Sequence, residues 1–139
     1  SAAVNSHQRF DSRARDYVVG RPGYPAPMVD RLAEVQGWRA GRVVADVGSG
    51  TGMLTRSILE HGAQVYAIEP SGPMRGEAER ALGQSPNFVS LDASASATTL
   101  PDASVDAIAC AQAFHWFNCE ETRREWSRIL RPAGSVCPH

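Results

Sequence analysis

The stretch that decides the fold is RVVADVGSGTG, residues 42–52. Its first half is mostly β-branched or apolar, which is typical of a strand buried inside a sheet. Three glycines then alternate with small residues, as in a chain that must turn sharply next to another group. After the glycines, Leu54, Ile58 and Leu59 recur at helical spacing, and Gly62 is placed to end that helix. The pattern predicts a buried strand, a glycine loop and a helix, in that order.

Strands and helices continue to alternate on both sides of this stretch. Apolar spacing predicts helices at 26–35 and 73–82 and after Asn118, and strands at 64–68, 87–91, 105–111 and from 135 onward. Ser71 is placed to cap the second of those helices. This alternation predicts an α/β fold with a parallel sheet and helices on its faces. We expect one domain over 1–139, with an N-terminal flap and helix at 1–41 and the core at 42–139.

Composition excludes several classes of partner. The chain has 139 residues and a formal net charge of -1, and its basic residues are scattered, so no nucleic-acid groove is predicted. No apolar run approaches the roughly 20 residues that cross a bilayer, so no membrane association is expected. Three cysteines without paired spacing predict no disulfide framework, which favours a reducing, cytoplasmic compartment.

The spacing of the glycines indicates the kind of ligand. A dinucleotide fingerprint carries glycines at relative positions one, three and six. Here the glycines fall at 48, 50 and 52, and the sixth position is Met53. A phosphate-binding P-loop needs a Gly-Lys-Ser/Thr sequence, and this loop contains no lysine. The loop therefore suits a ligand that approaches the backbone closely without carrying a phosphate.

Acidic residues follow the next two predicted strands. Glu69 stands 17 residues after Gly52, where a carboxylate can accept hydrogen bonds from both hydroxyls of a ribose. Asp92 follows the third strand, where it can accept from an adenine amino group. Together with the glycine loop, these acids predict an unphosphorylated adenine nucleoside at the carboxyl edge of the sheet.

As an ordered set, five motifs resemble those of class I S-adenosylmethionine (SAM)-dependent methyltransferases. They are DVGSGTG at 46–52, AIEPS at 67–71, DA at 92–93, LPDASVD at 100–106 followed by AQAFHWF at 111–117, and LRPAG at 130–134. The entry segment, Tyr17 to Pro25, is similar to that of small-molecule methyltransferases of the trans-aconitate and type 11 kind. The resemblance implies a Rossmann-like core, SAM as cofactor, S-adenosylhomocysteine as product and a small-molecule methyl acceptor.

The resemblance also implies a set of cofactor contacts. These are Tyr17, Arg21, Asp46, Gly48, Ser49, Gly50, Gly52, Glu69, Pro70, Met74, Asp92, Ala93 and Gln112. Tyr17 and Arg21 are expected to close over the methionyl end of the cofactor, or else to form an ordered flap. Asp46 is expected to orient the methionyl ammonium through water, or else to brace the glycine loop.

His115 lies where the transferred methyl group should be, at the end of the fourth strand. It is the candidate general base; the alternatives are a contact to substrate or cofactor and a purely structural role. The neighbouring aromatic residues, Phe114, Trp116 and Phe117, are expected to be mostly core. His115 and Cys119 have a spacing that two metal ligands can share, but no paired motif supports zinc, and no metal is expected.

One departure from the family concerns the C-terminus. Members normally continue past strand five with a helix and two antiparallel strands, six and seven, so we expect a C-terminally truncated chain. An unprotected sheet edge then favours pairing with another chain, although the oligomeric state stays open. Two alternatives to an active small-molecule methyltransferase follow. One is a SAM-binding module or inactive fragment without turnover, and the other is an NAD-dependent oxidoreductase.

Overall fold

The structure, a computed structural model, describes residues 26–110 and 119–132. Several sequence predictions lie outside these ranges. They concern Tyr17, Arg21, Gln112, His115 with its aromatic neighbours, and the fifth strand from Ser135.

The described residues form four helices and four strands. In chain order these are α1 (Ala26–Gln36), β1 (Val43–Val47), α2 (Met53–Glu60), β2 (Gln64–Ile68), α3 (Gly72–Leu82), β3 (Phe88–Leu91), β4 (Ala107–Ala109) and α4 (Glu120–Ile129). The strands make one sheet in the order β3-β2-β1-β4, and every neighbouring pair is parallel. The predicted α/β architecture, a Rossmann-like parallel sheet with flanking helices, is confirmed.

Apolar side chains on the two faces of the sheet form two separate cores. On one face, strand residues such as Val44 and Val65 pack with Ala33 of α1 and with Leu54 and Ile58 of α2. The opposite face packs against α4 and the segment between β3 and β4. Its buried members are Ala45, Val47, Ile68, Ala93, Ala95, Leu100, Val105, Ile108, Cys110, Trp126, Ile129 and Leu130. Because both faces are covered, the strands are mainly apolar, as parallel strands usually are.

The strand order reverses beside β1. From β1 the chain moves outward through β2 to β3, and it then returns across the sheet to place β4 on the other side of β1. In open α/β sheets, ligands bind outside the carboxyl ends of the strands at such a reversal. The fold therefore places the candidate site at the carboxyl edge of the sheet, which we define by Asp46, Glu69 and Asp92 at the ends of β1, β2 and β3.

One predicted boundary was wrong. Within the described residues β4 covers three residues, not 105–111, because Val105 makes an isolated parallel bridge to Leu130 instead. Helix α4 has Cys119 as its N-cap, without a side-chain capping bond. The Ser71 cap is confirmed, since its Oγ accepts from the backbone N–H of Met74 at 3.4 Å.

None of the helices in the described part of the chain has the length and apolar character needed to cross a membrane.

Candidate functional site

The glycine loop turns back against the end of β2. The backbone N–H groups of Gly48 and Ser49 both donate to the carbonyl oxygen of Ile68, at 2.8 and 3.1 Å. Gly48 and Gly50 have φ angles of 69° and 59°, which side chains with a Cβ rarely adopt. A Cβ added at Gly48 would meet nothing within 4 Å, so the backbone there is open to a ligand.

Gly52 has a different structural role. It is buried with φ at 92°, and an added Cβ would lie 2.8 Å from Leu82 Cδ1 and 3.3 Å from Ala78 Cβ. The missing side chain therefore lets the start of α2 pack closely against α3. The sequence did not indicate this packing role, and the cofactor contact expected of Gly52 stays a prediction.

Glu69 joins the glycine loop to the end of β2. Its Oε1 accepts from the backbone N–H of Gly50 at 2.8 Å, and its Oε2 accepts from that of Ser71 at 2.9 Å. The residue is only 8% exposed. A carboxylate has about four acceptor positions, so each oxygen keeps one lone pair for a ligand. The side chain is held in a fixed orientation with acceptor capacity to spare.

Asp46 lies below the loop and is 2% exposed. Its Oδ2 accepts one hydrogen bond, at 2.6 Å, from the hydroxyl of Thr55 on α2. Burial raises the pKa of Asp46 from 3.8 to about 7; the Thr55 hydrogen bond opposes this increase, and the charge of Glu69 adds to it. The ionised form of Asp46 is therefore only partly compensated by the described protein groups.

Asp92 ends β3 with its side chain 70% exposed, and Ala93 beside it is buried. Arg75 of α3 lies between β2 and β3: its Nη1 is 2.8 Å from the carbonyl oxygen of Glu69 and 3.3 Å from Asp92 Oδ1. The sequence prediction missed Arg75, because an arginine inside a predicted helix has the same pattern as an ordinary surface charge. Only the packing of α3 shows that it reaches two strand ends.

The remaining predicted contacts surround the loop. Ser49 is half-buried and Pro70 is exposed. Met74 is 47% exposed, and its Sδ lies 3.9 Å from the position a Cβ would take on Gly50. The structure thus brings Met74 to the glycine loop, and the cofactor contact expected of it stays a prediction.

Acidic groups dominate the charge of the carboxyl edge. Asp46, Glu69 and Asp92 all lie there, and Arg75 is paired with the backbone of Glu69 and with Asp92. A phosphate would be repelled by this arrangement, whereas hydroxyl, amino and ammonium groups would be attracted. The described residues contain no group of three or more His, Cys, Asp or Glu side chains that could hold a metal ion.

Comparison with known families identifies the fold. The sequence profile of the methyltransferase domain family matches residues 45–137, about two thirds of the chain. The chain belongs to this family.

Individual relatives agree with that assignment. An uncharacterised methyltransferase of Mycobacterium tuberculosis is 39% identical over 127 residues, covering 91% of this chain and 49% of the relative. A solved protein from Anaeromyxobacter dehalogenans, named a type II methyltransferase, is 33% identical with a TM-score of 0.63, covering 81% of this chain and 45% of that one. A SAM-dependent methyltransferase from Aquifex aeolicus is 26% identical with a TM-score of 0.64, covering 75% and 58%.

These comparisons fix the class of protein and leave its substrate open. The chain spans about half the length of the curated relatives it matches, such as the mycobacterial protein at 49%. No relative named above specifies a methyl acceptor, and the trans-aconitate subgroup is not singled out by them.

Proposed function

We propose that this domain binds SAM at the carboxyl edge of the sheet and transfers the sulfonium methyl group to a small-molecule acceptor. The observation that carries the proposal is the orientation of Glu69. Membership of the methyltransferase family supports it, as does similarity to a solved enzyme named SAM-dependent. The cytoplasmic compartment expected from the sequence belongs to the same proposal.

Glu69 is suited to hold a ribose because the orientation of its carboxylate is fixed. Two backbone N–H groups, from Gly50 and Ser71, fix one oxygen each at 2.8 and 2.9 Å. The two remaining lone pairs match the two neighbouring hydroxyls of an unphosphorylated ribose. A 2′-phosphate, in contrast, would meet a fixed negative charge.

Asp46 supports a ligand with a positive group. Its carboxylate is buried and accepts a single hydrogen bond, from Thr55, among the described residues. A nearby ammonium stabilises the ionised carboxylate and offsets part of the cost of burial. SAM carries both an ammonium and a sulfonium, so the proposal assigns the methionyl end of the cofactor to the Asp46 side of the loop.

Methyl transfer from a sulfonium requires little acid–base catalysis by the protein. The sulfonium methyl is already activated when the cofactor is bound, so the domain mainly supplies proximity and alignment. A carboxylate acceptor, which the resemblance of the entry segment to trans-aconitate-type carboxyl methyltransferases implies, would attack without a base. Tyr17, Arg21, Gln112 and the candidate base His115 stay predictions within this proposal.

Two other functions are weaker candidates. An NAD-dependent oxidoreductase would need a third spaced glycine for its pyrophosphate, and Met53 stands at that position. A SAM-binding module without turnover is compatible with the same carboxyl edge. It differs from an enzyme only in lacking methyl transfer.

Calorimetric titration with S-adenosylhomocysteine and with NAD tests the binding step. We expect S-adenosylhomocysteine to bind and Glu69→Gln to weaken it about ten- to a hundredfold, since hydrogen bonds to a charged group are lost. Glu34→Gln, the same change at an exposed position of α1, should leave the affinity unchanged. Binding of NAD together with no response to S-adenosylhomocysteine would refute the proposal.

A second ligand separates ribose recognition from bracing of the loop. If Glu69 contacts the ribose, the analogue lacking the 2′-hydroxyl binds the parent protein more weakly, and Glu69→Gln removes most of that difference. If Glu69 only braces Gly50 and Ser71, both ligands lose affinity equally. A labelled-methyl assay over a panel of carboxylic acids then tests turnover, and cofactor binding without any transfer would favour the module.

A further inference from the structure

The guanidinium of Arg75 reaches the ends of two neighbouring strands, β2 and β3, whose backbones are hydrogen-bonded to each other there. It lies on α3, and its Nη1 is 2.8 Å from the carbonyl oxygen of Glu69 and 3.3 Å from Asp92 Oδ1. One end of the connection is therefore the proposed ribose ligand, and the other is the carboxylate predicted to meet the adenine.

The far side of the guanidinium is also held. Its Nε is 4.0 Å from Glu79 Oε2, and the same carboxylate oxygen accepts from the hydroxyl of Ser90 on β3 at 2.7 Å. The Arg75 side chain is 21% exposed, compared with 70% for Asp92. Because guanidinium is planar with donors in a fixed fork, the 2.8 Å hydrogen bond to the Glu69 carbonyl orients it, and the longer ion pair to Glu79 adds to this.

The ion pair between Arg75 and Asp92 is a poor source of stability. Pairs in which one member is largely exposed contribute little to the free energy of unfolding, because water screens them and ordering both side chains costs entropy. The pair instead restricts the orientation of the Asp92 carboxylate. One oxygen of Asp92 faces Arg75, and its second oxygen, Oδ2, has no partner among the described residues.

We propose that Arg75 is a positioning residue that holds Asp92 for the amino group of the purine and thereby sets the preference of the nucleoside site for adenine. This inference rests on the proposed function. The positioned carboxylate accepts from an adenine amino group and opposes the carbonyl oxygen of hypoxanthine, so the site both attracts one base and rejects the other.

The test compares S-adenosylhomocysteine with S-inosylhomocysteine, in which the purine amino group is replaced by a carbonyl and the neighbouring N1 carries a proton. We expect the parent protein to prefer the adenosyl ligand at least about tenfold, in line with one hydrogen bond to a charged group. Arg75→Ala should reduce that ratio at least about threefold, and Arg75→Lys should restore part of it, because an ammonium can still donate to Asp92.

Two matched variants control the experiment. Arg80→Ala makes the same change on an exposed residue of α3 and should leave the ratio unchanged. Adding Arg75→Ala to Asp92→Asn should reduce the ratio no further than Asp92→Asn alone, because the two residues act through one contact. Arg75→Gln keeps the measurement possible if Arg75→Ala does not fold.

The outcomes separate this inference from the proposed function. If the parent protein does not bind S-adenosylhomocysteine, both fail. If it binds but does not discriminate, or if Arg75→Ala weakens both ligands by the same factor, the positioning role alone is overturned. A loss of discrimination with near-normal affinity for the inosyl ligand supports it.

Discussion

Two carboxylates in this molecule have opposite environments. Asp46, at the carboxyl end of β1, is buried and accepts one hydrogen bond from a neutral hydroxyl. Glu125, on α4, accepts from the backbone N–H and hydroxyl of Thr98 and from two nitrogens of Arg128, over 2.6–3.0 Å. Burial raises the pKa of Asp46 to about 7, whereas the Arg128 hydrogen bonds, with those of Thr98, hold the pKa of Glu125 near 2.

The difference separates a structural cluster from a site. Glu125 fastens the connection between β3 and β4 to α4, and Arg128 extends the cluster to Asp102 at 2.7 Å. Every charge there has a protein partner. At the carboxyl edge of the sheet, Asp46 is left with a raised pKa and Glu69 with unused lone pairs. Incomplete compensation of this kind is common where a ligand supplies the missing interactions.

The largest expected effect concerns Asp46. Its folded pKa lies above its ordinary value, so the folded state binds a proton more tightly, and stability falls as pH rises from 3.8 to about 7. Asp46→Asn keeps an acceptor for Thr55 and removes the charge. Urea unfolding should show this variant more stable than the parent at pH 8, by on the order of 3–4 kcal/mol.

The Asp46→Asn advantage should shrink as pH falls and vanish below about 3.8, where the parent carboxyl is largely protonated in both states. Glu34→Gln, an exposed acid changed in the same way, should show no such dependence. An advantage that stays constant from acid to base would contradict the raised pKa.

The second largest expected effect concerns Glu125, the other carboxylate of the comparison. Glu125→Ala leaves the fully buried Thr98 without its acceptor, so we expect the free energy of unfolding to fall by about 2–3 kcal/mol. The sign of the pH dependence is opposite to that of Asp46. The folded pKa of Glu125 is lowered, so its contribution is present above 4.5 and lost as pH falls toward 2.

Glu121→Ala controls for charge and helix propensity, because Glu121 is exposed on the same helix. It should change stability by less than about 1 kcal/mol. Equal losses in the two variants, or a loss from Glu125→Ala that persists unchanged in acid, would show that the α4 cluster does not depend on the Glu125 carboxylate.

The comparison also explains what the sequence could predict. The positions of Asp46 and Glu69 follow from local patterns: a strand, a glycine loop and an acid after the next strand. The type and order of every described element were therefore predictable, including the parallel sheet.

Contacts between distant segments were not predictable from one sequence. Thr98 and Glu125 are 27 positions apart and meet only because α4 packs over the β3–β4 connection. Arg75 reaches Asp92 only because α3 crosses both strand ends. The length of β4 was wrong for a similar reason, since Val105 pairs with Leu130 rather than extending the strand.

The smallest expected effect tests whether the Thr55 hydroxyl stabilises the ionised carboxylate of Asp46. Thr55 is fully buried and its Oγ1 lies 2.6 Å from Asp46 Oδ2, so Thr55→Val removes the donor with little change in shape. We expect a loss of about 1 kcal/mol at pH 8, less than a full charged hydrogen bond because the new methyl group is buried.

In the Asp46→Asn background the same substitution should cost about half as much, because the acceptor is then neutral. The difference between the two backgrounds is the coupling energy between the hydroxyl and the ionised carboxylate. If Thr55→Val costs the same in both, the hydroxyl does not stabilise the charge. The ionised carboxylate of Asp46 would then receive even less stabilisation from the described protein groups than its one hydrogen bond implies.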